Sequence, residues 1–232
     1  MVRARSQSPV RLSRPHRRQR ILDAAVEAFA ARGYDAASMS EIAAASGITK
    51  PVLYDHFASK RQLFVELMES IRDELVGRSA RAMNTDLPLE ARVRTAITAF
   101  FAYVDEHPAG ARVLLVTPRG DPELADAARR VQAGATAALA ALLAGEPELL
   151  AGQPDRDRRL ELFTELIKQG LHGLAEWWAD HPQVAAGSLV EAVMDVVWIG
   201  VRAHLAPRGV ARGRPVGDRG QRPVECPTTE LM

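Results

Sequence analysis

Between Arg17 and Lys60 the chain carries, at the spacing of short helices, side chains suited to binding phosphates and base edges. Lys50 can reach a guanine edge or a phosphate. Thr49 can donate to a phosphate or touch a base, and the apolar Pro51 and Val52 can meet a thymine methyl. Tyr54 and His56 can hydrogen-bond phosphates, contacts that position a protein without reading sequence. Ser38 and Ser40 stand at a predicted helix start, and Lys60 lies in the first turn of another. There, free amides and the helix dipole favour an anion. Arg17 and Arg18 are placed for an arm on the backbone or in the minor groove. Each residue alone also has a plainer reading: Ser38 as a cap, Tyr54 as a packing residue, His56 and Lys60 as solvated surface. The joint spacing carries the chemistry.

Positioning these groups takes a defined set of helices. Apolar periodicity is helical almost throughout, without convincing strand alternation, so the fold class is all-α. The first helix runs from about Pro15 to Arg32, with Leu22, Ala25, Val26 and Phe29 on one face and Gly33 as its stop. Ser38 and Glu41 have the spacing of a capping box for a second, short helix with Ile42 and Ala43 inward. A third runs from Thr49, as N-cap, to Phe57, with Pro51 tolerated in its first turn and Leu53 and Phe57 pointing inward. Ser59 then caps a long helix striped by Phe64, Leu67, Ile71 and Leu75. Two short helices about the Gly47–Ile48 turn form a helix-turn-helix over 38–57. The second helix of that motif enters a major groove about 12 Å wide.

The stretch over 17–68 resembles the DNA-binding domain of the TetR family of bacterial transcriptional regulators. The pieces that carry the likeness are ILDAAVEAFAARGYDAASM, EIAAASGITK, LYDHFASK and the following LF. The resemblance implies an all-helical homodimer with an N-terminal helix-turn-helix and a C-terminal ligand-binding and dimerisation domain. It also implies roles: Ser38 at the start of the second helix, Thr49 through Val52 on the recognition helix, Tyr54 and Lys60 on phosphate. Pro51 and Val52 stand where many members have small or polar residues, which alters base preference.

Beyond Asn84, helices are predicted at 89–106, 108–116, 122–144, 157–180 and 187–205, separated by Pro- or Gly-bearing breaks. The expected organisation is a disordered basic arm over 1–14, a DNA-binding domain over 15–62, a ligand-binding and dimerisation domain over 63–206, and a disordered tail over 207–232. The last two helices are apolar over much of their circumference and must be covered on more than one side. Leu171, Leu174, Trp178, Val190, Met194, Val197 and Val201 are the expected dimer seam. Leu162, Leu166 and Trp177 form a neighbouring strip. A pocket for a small, mostly hydrophobic organic effector is expected between the helices near 89–116 and 157–180. Phe101, Tyr103, Arg112, Glu165, Gln169 and His172 are its candidate residues. His172 and Glu176, spaced i, i+4, are too few to close a metal site, and no cofactor is expected.

The 30 Lys and Arg against 29 Asp and Glu give a net charge of +1, which alone hides the partner. Residues 1–60 hold ten basic and five acidic residues, and the remainder 20 against 24. A basic reading end on an acidic body fits double-stranded DNA as the partner, with only that end approaching phosphate. The single Cys226 fits a reducing, cytoplasmic setting, and no apolar run reaches the length of a membrane span. No nucleophile elbow, phosphate loop or dinucleotide fingerprint occurs, which argues against an enzyme.

Overall fold

The computed structural model describes residues 13–115 and 120–205. These form nine helices and no strand among the described residues. They are α1 (Arg14–Ala36), α2 (Met39–Ala45), α3 (Lys50–His56), α4 (Lys60–Met83), α5 (Leu89–Glu106), α6 (Pro108–Leu115), α7 (Pro122–Ala144), α8 (Arg156–Ala179) and α9 (Ala186–Leu205). The expected tail lies outside the described residues, as does the expected arm save for Ser13 and Arg14.

The first four helices arise as the apolar spacing dictates. The Ser13 hydroxyl accepts the His16 amide at the start of α1, and Ile21, Leu22, Ala25 and Phe29 are buried along one stripe. Gly33, at φ 74°, breaks the helix where the sequence places its stop, and Tyr34–Ala36 follow as a separate turn. Ser38 caps α2 by accepting the Glu41 amide at 3.1 Å. The Glu41 carboxylate is drawn to Arg32, whose hydrogen bond holds it below the usual carboxylate range. Thr49 occupies the N-cap position of α3 but makes no side-chain capping bond, contrary to expectation, and its hydroxyl stays exposed. Leu53 and Phe57 are fully buried beneath α3. The turn between α2 and α3 depends on Gly47, at φ 67°. A Cβ there would also lie 2.7 Å from the Arg20 guanidinium.

Helix α4 runs unbroken from this unit into the body. At its start Phe64 meets Phe29 and Tyr34 edge-on, with centroids 5.1 and 5.2 Å apart. Arg61 pairs with Asp121, at 2.8 Å, and with Glu123; Asp121 also caps α7 by accepting the amides of Glu123 and Leu124. At the far end Arg92 holds the Met83 carbonyl at 3.1 Å and pairs with Glu146 just past α7. These two ties make α4 and α7 run side by side in one direction. The core of α1–α4 is continuous with Tyr103, Val113, Leu114, Leu124, Ala128 and Val131, so the helix-turn-helix rests directly on the body. A second core joins α5, α8 and α9 through Ile97, Phe101, Ala175, Leu189, Val190 and Met194.

Gly47→Ala is expected to cost about 1–3 kcal/mol, because it forces a side chain into the left-handed region against Arg20. Chemical denaturation checks this; an unchanged midpoint contradicts the assigned turn.

Candidate nucleic-acid interface and effector cavity

The outward surface of α3 presents Thr49, Lys50, Pro51 and Tyr54 as exposed side chains, with Val52 and His56 half-buried. Ser40 is exposed in the first turn of α2, and Ser38, half-buried, has its hydroxyl engaged in the cap. His56 is held below its usual range by burial and by the neighbouring charges of Arg14 and Arg17, with Arg18 adding to them. Arg14, Arg17 and Arg18 thus bring positive charge beside α3, partly offset by Asp55.

Two residues, Lys60 and Arg18, do something other than expected. Lys60 Nζ donates to the carbonyls of Tyr34 (2.8 Å), Asp35 (3.0 Å) and Ala37 (3.1 Å), and lies 4.5 Å from the Tyr34 ring centroid. An ammonium has three donors, and all three are engaged within the fold. Lys60 therefore clamps the end of α1 to the start of α4 and leaves no donor for a phosphate. Arg17 and Arg18 sit in α1, within the span expected for the first helix. Arg18 pairs with Glu66 and lies over the Phe57 ring, and Arg17 is half-buried.

A cavity of about 150 Å³ lies in the body, walled by α4, α5, α7, α8 and α9. Its lining is almost wholly apolar: Leu75, Met83, Phe100, Leu139 and Leu142 are representative. Of the six residues expected to line it, His172 does. Burial, together with the Lys168 charge, lowers His172 to about 4, which keeps its ring neutral, and it stacks on Phe100 at 5.9 Å. The other five lie elsewhere. Phe101 is fully buried against Trp178 in the second core. Tyr103 is buried beneath the Arg78 guanidinium and against His107, and burial raises its hydroxyl to about 12. Arg112 is exposed. Glu165 and Gln169 line an adjoining polar cleft.

Sequence reading missed Lys168. It is 6% exposed on the inward face of α8, where it donates to Thr136 Oγ1 (2.7 Å) and the Gln132 carbonyl (3.1 Å) and pairs with Glu165 (2.9 Å). Burial raises the Glu165 carboxyl, but hydrogen bonds from Thr136, Gln169 and Lys168 outweigh it and hold it at about 2. The signal lay in register: Leu160, Thr164, Lys168 and Ala175 share the buried face of α8.

The expected dimer seam is also corrected. Val190, Met194 and Val201 are buried inside the protomer, Leu171, Val197 and Val201 line the cavity, and Leu174 and Trp178 pack in the second core. The Trp178 indole donates to the Val184 carbonyl at 2.8 Å. On the last two helices the large apolar residues left in solvent are instead Leu162, Leu166 (72% exposed) and Trp177 of α8, and Val196 (76% exposed) and Ile199 of α9.

Residues 21–67 match the family described as bacterial regulatory proteins, tetR family. The HTH-type transcriptional activator FasR of Mycolicibacterium smegmatis is 30% identical over 192 residues, covering 82% of this chain and 85% of that protein. The chain belongs to the TetR family. As a TetR-family protein it is a DNA-binding transcriptional regulator, not an enzyme. The HTH-type transcriptional repressor KstR2 of Mycobacterium tuberculosis is 26% identical over 204 residues, 88% of each chain. The fold is also that of the transcriptional regulator FadR from Bacillus subtilis, solved in complex with stearoyl-CoA. That structure has a TM-score of 0.66 at 18% identity, over 77% of this chain and 96% of that one.

His172 supplies a test by pH. Unfolded, it takes up a proton near pH 6.5; folded, near pH 4. The stability it contributes is therefore full above 6.5 and lost as pH falls towards 4. His172→Phe, which keeps the stack on Phe100, is expected to flatten the fall of the thermal midpoint across that window; an identical slope contradicts a buried neutral imidazole.

Proposed function

We propose that this regulator is a repressor that binds a palindromic operator as a homodimer and leaves it when a small apolar-chained effector enters the body. The observation that carries the reading is α4. One helix starts beside the recognition helix at Lys60 and lines the cavity from Arg72 to Met83. Occupancy of the cavity then bears on the position of α3.

On the DNA side, Lys50 and Thr49 with Pro51 and Val52 meet base edges, while Tyr54, His56, Ser40 and Arg17 meet phosphates. Two copies present two recognition helices to successive major grooves. The exposed α8 and α9 apolar stripes support the dimer. Leu162, Leu166 and Trp177 flank Gly170 and Gly173, whose open surroundings allow close approach of another helix. The cavity's apolar wall supports an effector of the same character as the acyl group in the Bacillus subtilis FadR complex. The reading implies a cytoplasmic protein, where operator and effector meet. The name of the FasR relative supports a second reading, activation from the same fold.

An electrophoretic shift with the DNA upstream of its own gene tests the proposal. A salt-sensitive, sequence-preferring shift is expected, and its absence overturns the reading. Lys50→Ala is expected to change which sequence is preferred, whereas Tyr54→Phe weakens binding to all sequences alike. Ile199→Glu with Leu166→Glu is expected to give monomers in analytical ultracentrifugation. A dimer that survives both places the interface elsewhere.

A further inference from the structure

The cavity is walled mostly by apolar side chains, with a few polar ones among them. Along α4 its wall runs from Arg72 to Met83, eleven residues or about 16 Å at helical rise. Arg72 approaches Gly134 of α7, and Met83 lies by Arg92 and Glu146 beyond the end of α7. The cavity is thus a slot along the bundle, and Gln132, Thr164, Lys168 and His172 are polar side chains in its wall, with Thr164 and Lys168 one turn apart on α8 and Lys168 donating to the Gln132 carbonyl. Two buried atoms of this wall, Thr164 Oγ1 and Gln132 Oε1, have no hydrogen-bond partner among the described residues. Thr164 is 4% exposed. Buried polar atoms left without partners carry an appreciable cost, so their presence in an apolar slot marks a place built to meet a polar group.

A second observation gives that polar group a way out. A cleft of about 530 Å³ meets the slot at Leu114, Gln132 and Lys168, and is bordered by Arg129, Arg158 and Glu161. Slot and cleft are separated by the Lys168–Thr136–Glu165 network. Lys168 places a positive charge between them, and the 42% exposed Glu165 pairs with it from the solvent side.

We propose that the effector is an acyl compound. Its alkyl chain fills the slot, its carbonyl oxygen accepts from the Thr164 hydroxyl beside the Lys168 ammonium, and its remaining head group leaves through the Arg129–Arg158 cleft. This rests on the effector reading above and adds the chemistry of the head. A free fatty acid and a coenzyme A thioester share that carbonyl. The thioester alone carries phosphates for the two arginines.

Calorimetric titration of the full chain with laurate, lauroyl-CoA and bromododecane tests it. Bromododecane has the chain without the carbonyl. Thr164→Val, which keeps shape and removes the donor, is expected to weaken acyl binding by about tenfold and to leave bromododecane unchanged. Lys168→Met is expected to weaken the same acyl probe. Whichever of laurate or lauroyl-CoA binds more tightly to the parent protein, and loses affinity in Thr164→Val, identifies the head. If both variants bind acyl probes as the parent protein does, while Leu139→Trp, which fills the slot, abolishes binding, the head-group proposal is overturned and the cavity reading survives. If no probe binds, or Leu139→Trp changes nothing, both fall.

Discussion

Helix α4 is a single rigid element with two duties, and most of the structure follows from that constraint. Its first turn is clamped to the end of α1 by the three hydrogen bonds from Lys60 and to α7 by Arg61. Leu63, Phe64, Leu67 and Met68 bury it in the core of the reading head. Its second half, from Arg72 to Met83, is a wall of the cavity. The helix is continuous over 24 residues and contains no proline to break it. A ligand that widens the slot on its α4 side displaces α4, and the Lys60 clamp passes that displacement to α1 and its neighbours α2 and α3.

The body stores its polarity in one place. Lys168 would be costly to bury alone, and its charge is offset by Glu165 at 2.9 Å and by hydrogen bonds to Thr136 and Gln132. The same network lowers Glu165 and helps keep His172 neutral. A packed apolar bundle with one hydrogen-bonded charge at a partition favours ligands that are apolar over most of their length and polar at one point.

The reading head was legible from sequence because its inward and outward faces follow from short-range spacing. Leu53 and Phe57, four apart, had to be buried, which left Thr49, Lys50 and Tyr54 outside. The helix spans of the body were legible for the same reason, and α5 and α7 have the expected ends. What a long apolar helix packs against was not legible. On α8 the richer stripe of Leu171, Leu174 and Trp178 went to the protomer's own core and cavity, and the leaner stripe of Leu162, Leu166 and Trp177 was left outside. Periodicity shows that a helix has two apolar sides, but not which neighbour takes each. Lys168 escaped for a related reason, since nothing local to α8 reveals Thr136 thirty-two residues away. Lys60 was misread because its partners are backbone carbonyls, which no residue type announces.

If α4 couples the two ends, effector and operator must each change the other's affinity by the same factor. The direct measurement is the dissociation constant of the acyl probe for the protein, free and bound to operator DNA. Repression relieved by the effector requires weaker binding on DNA, by about 5–150-fold for a coupling of ordinary size. Equal affinity in the two states would contradict the account.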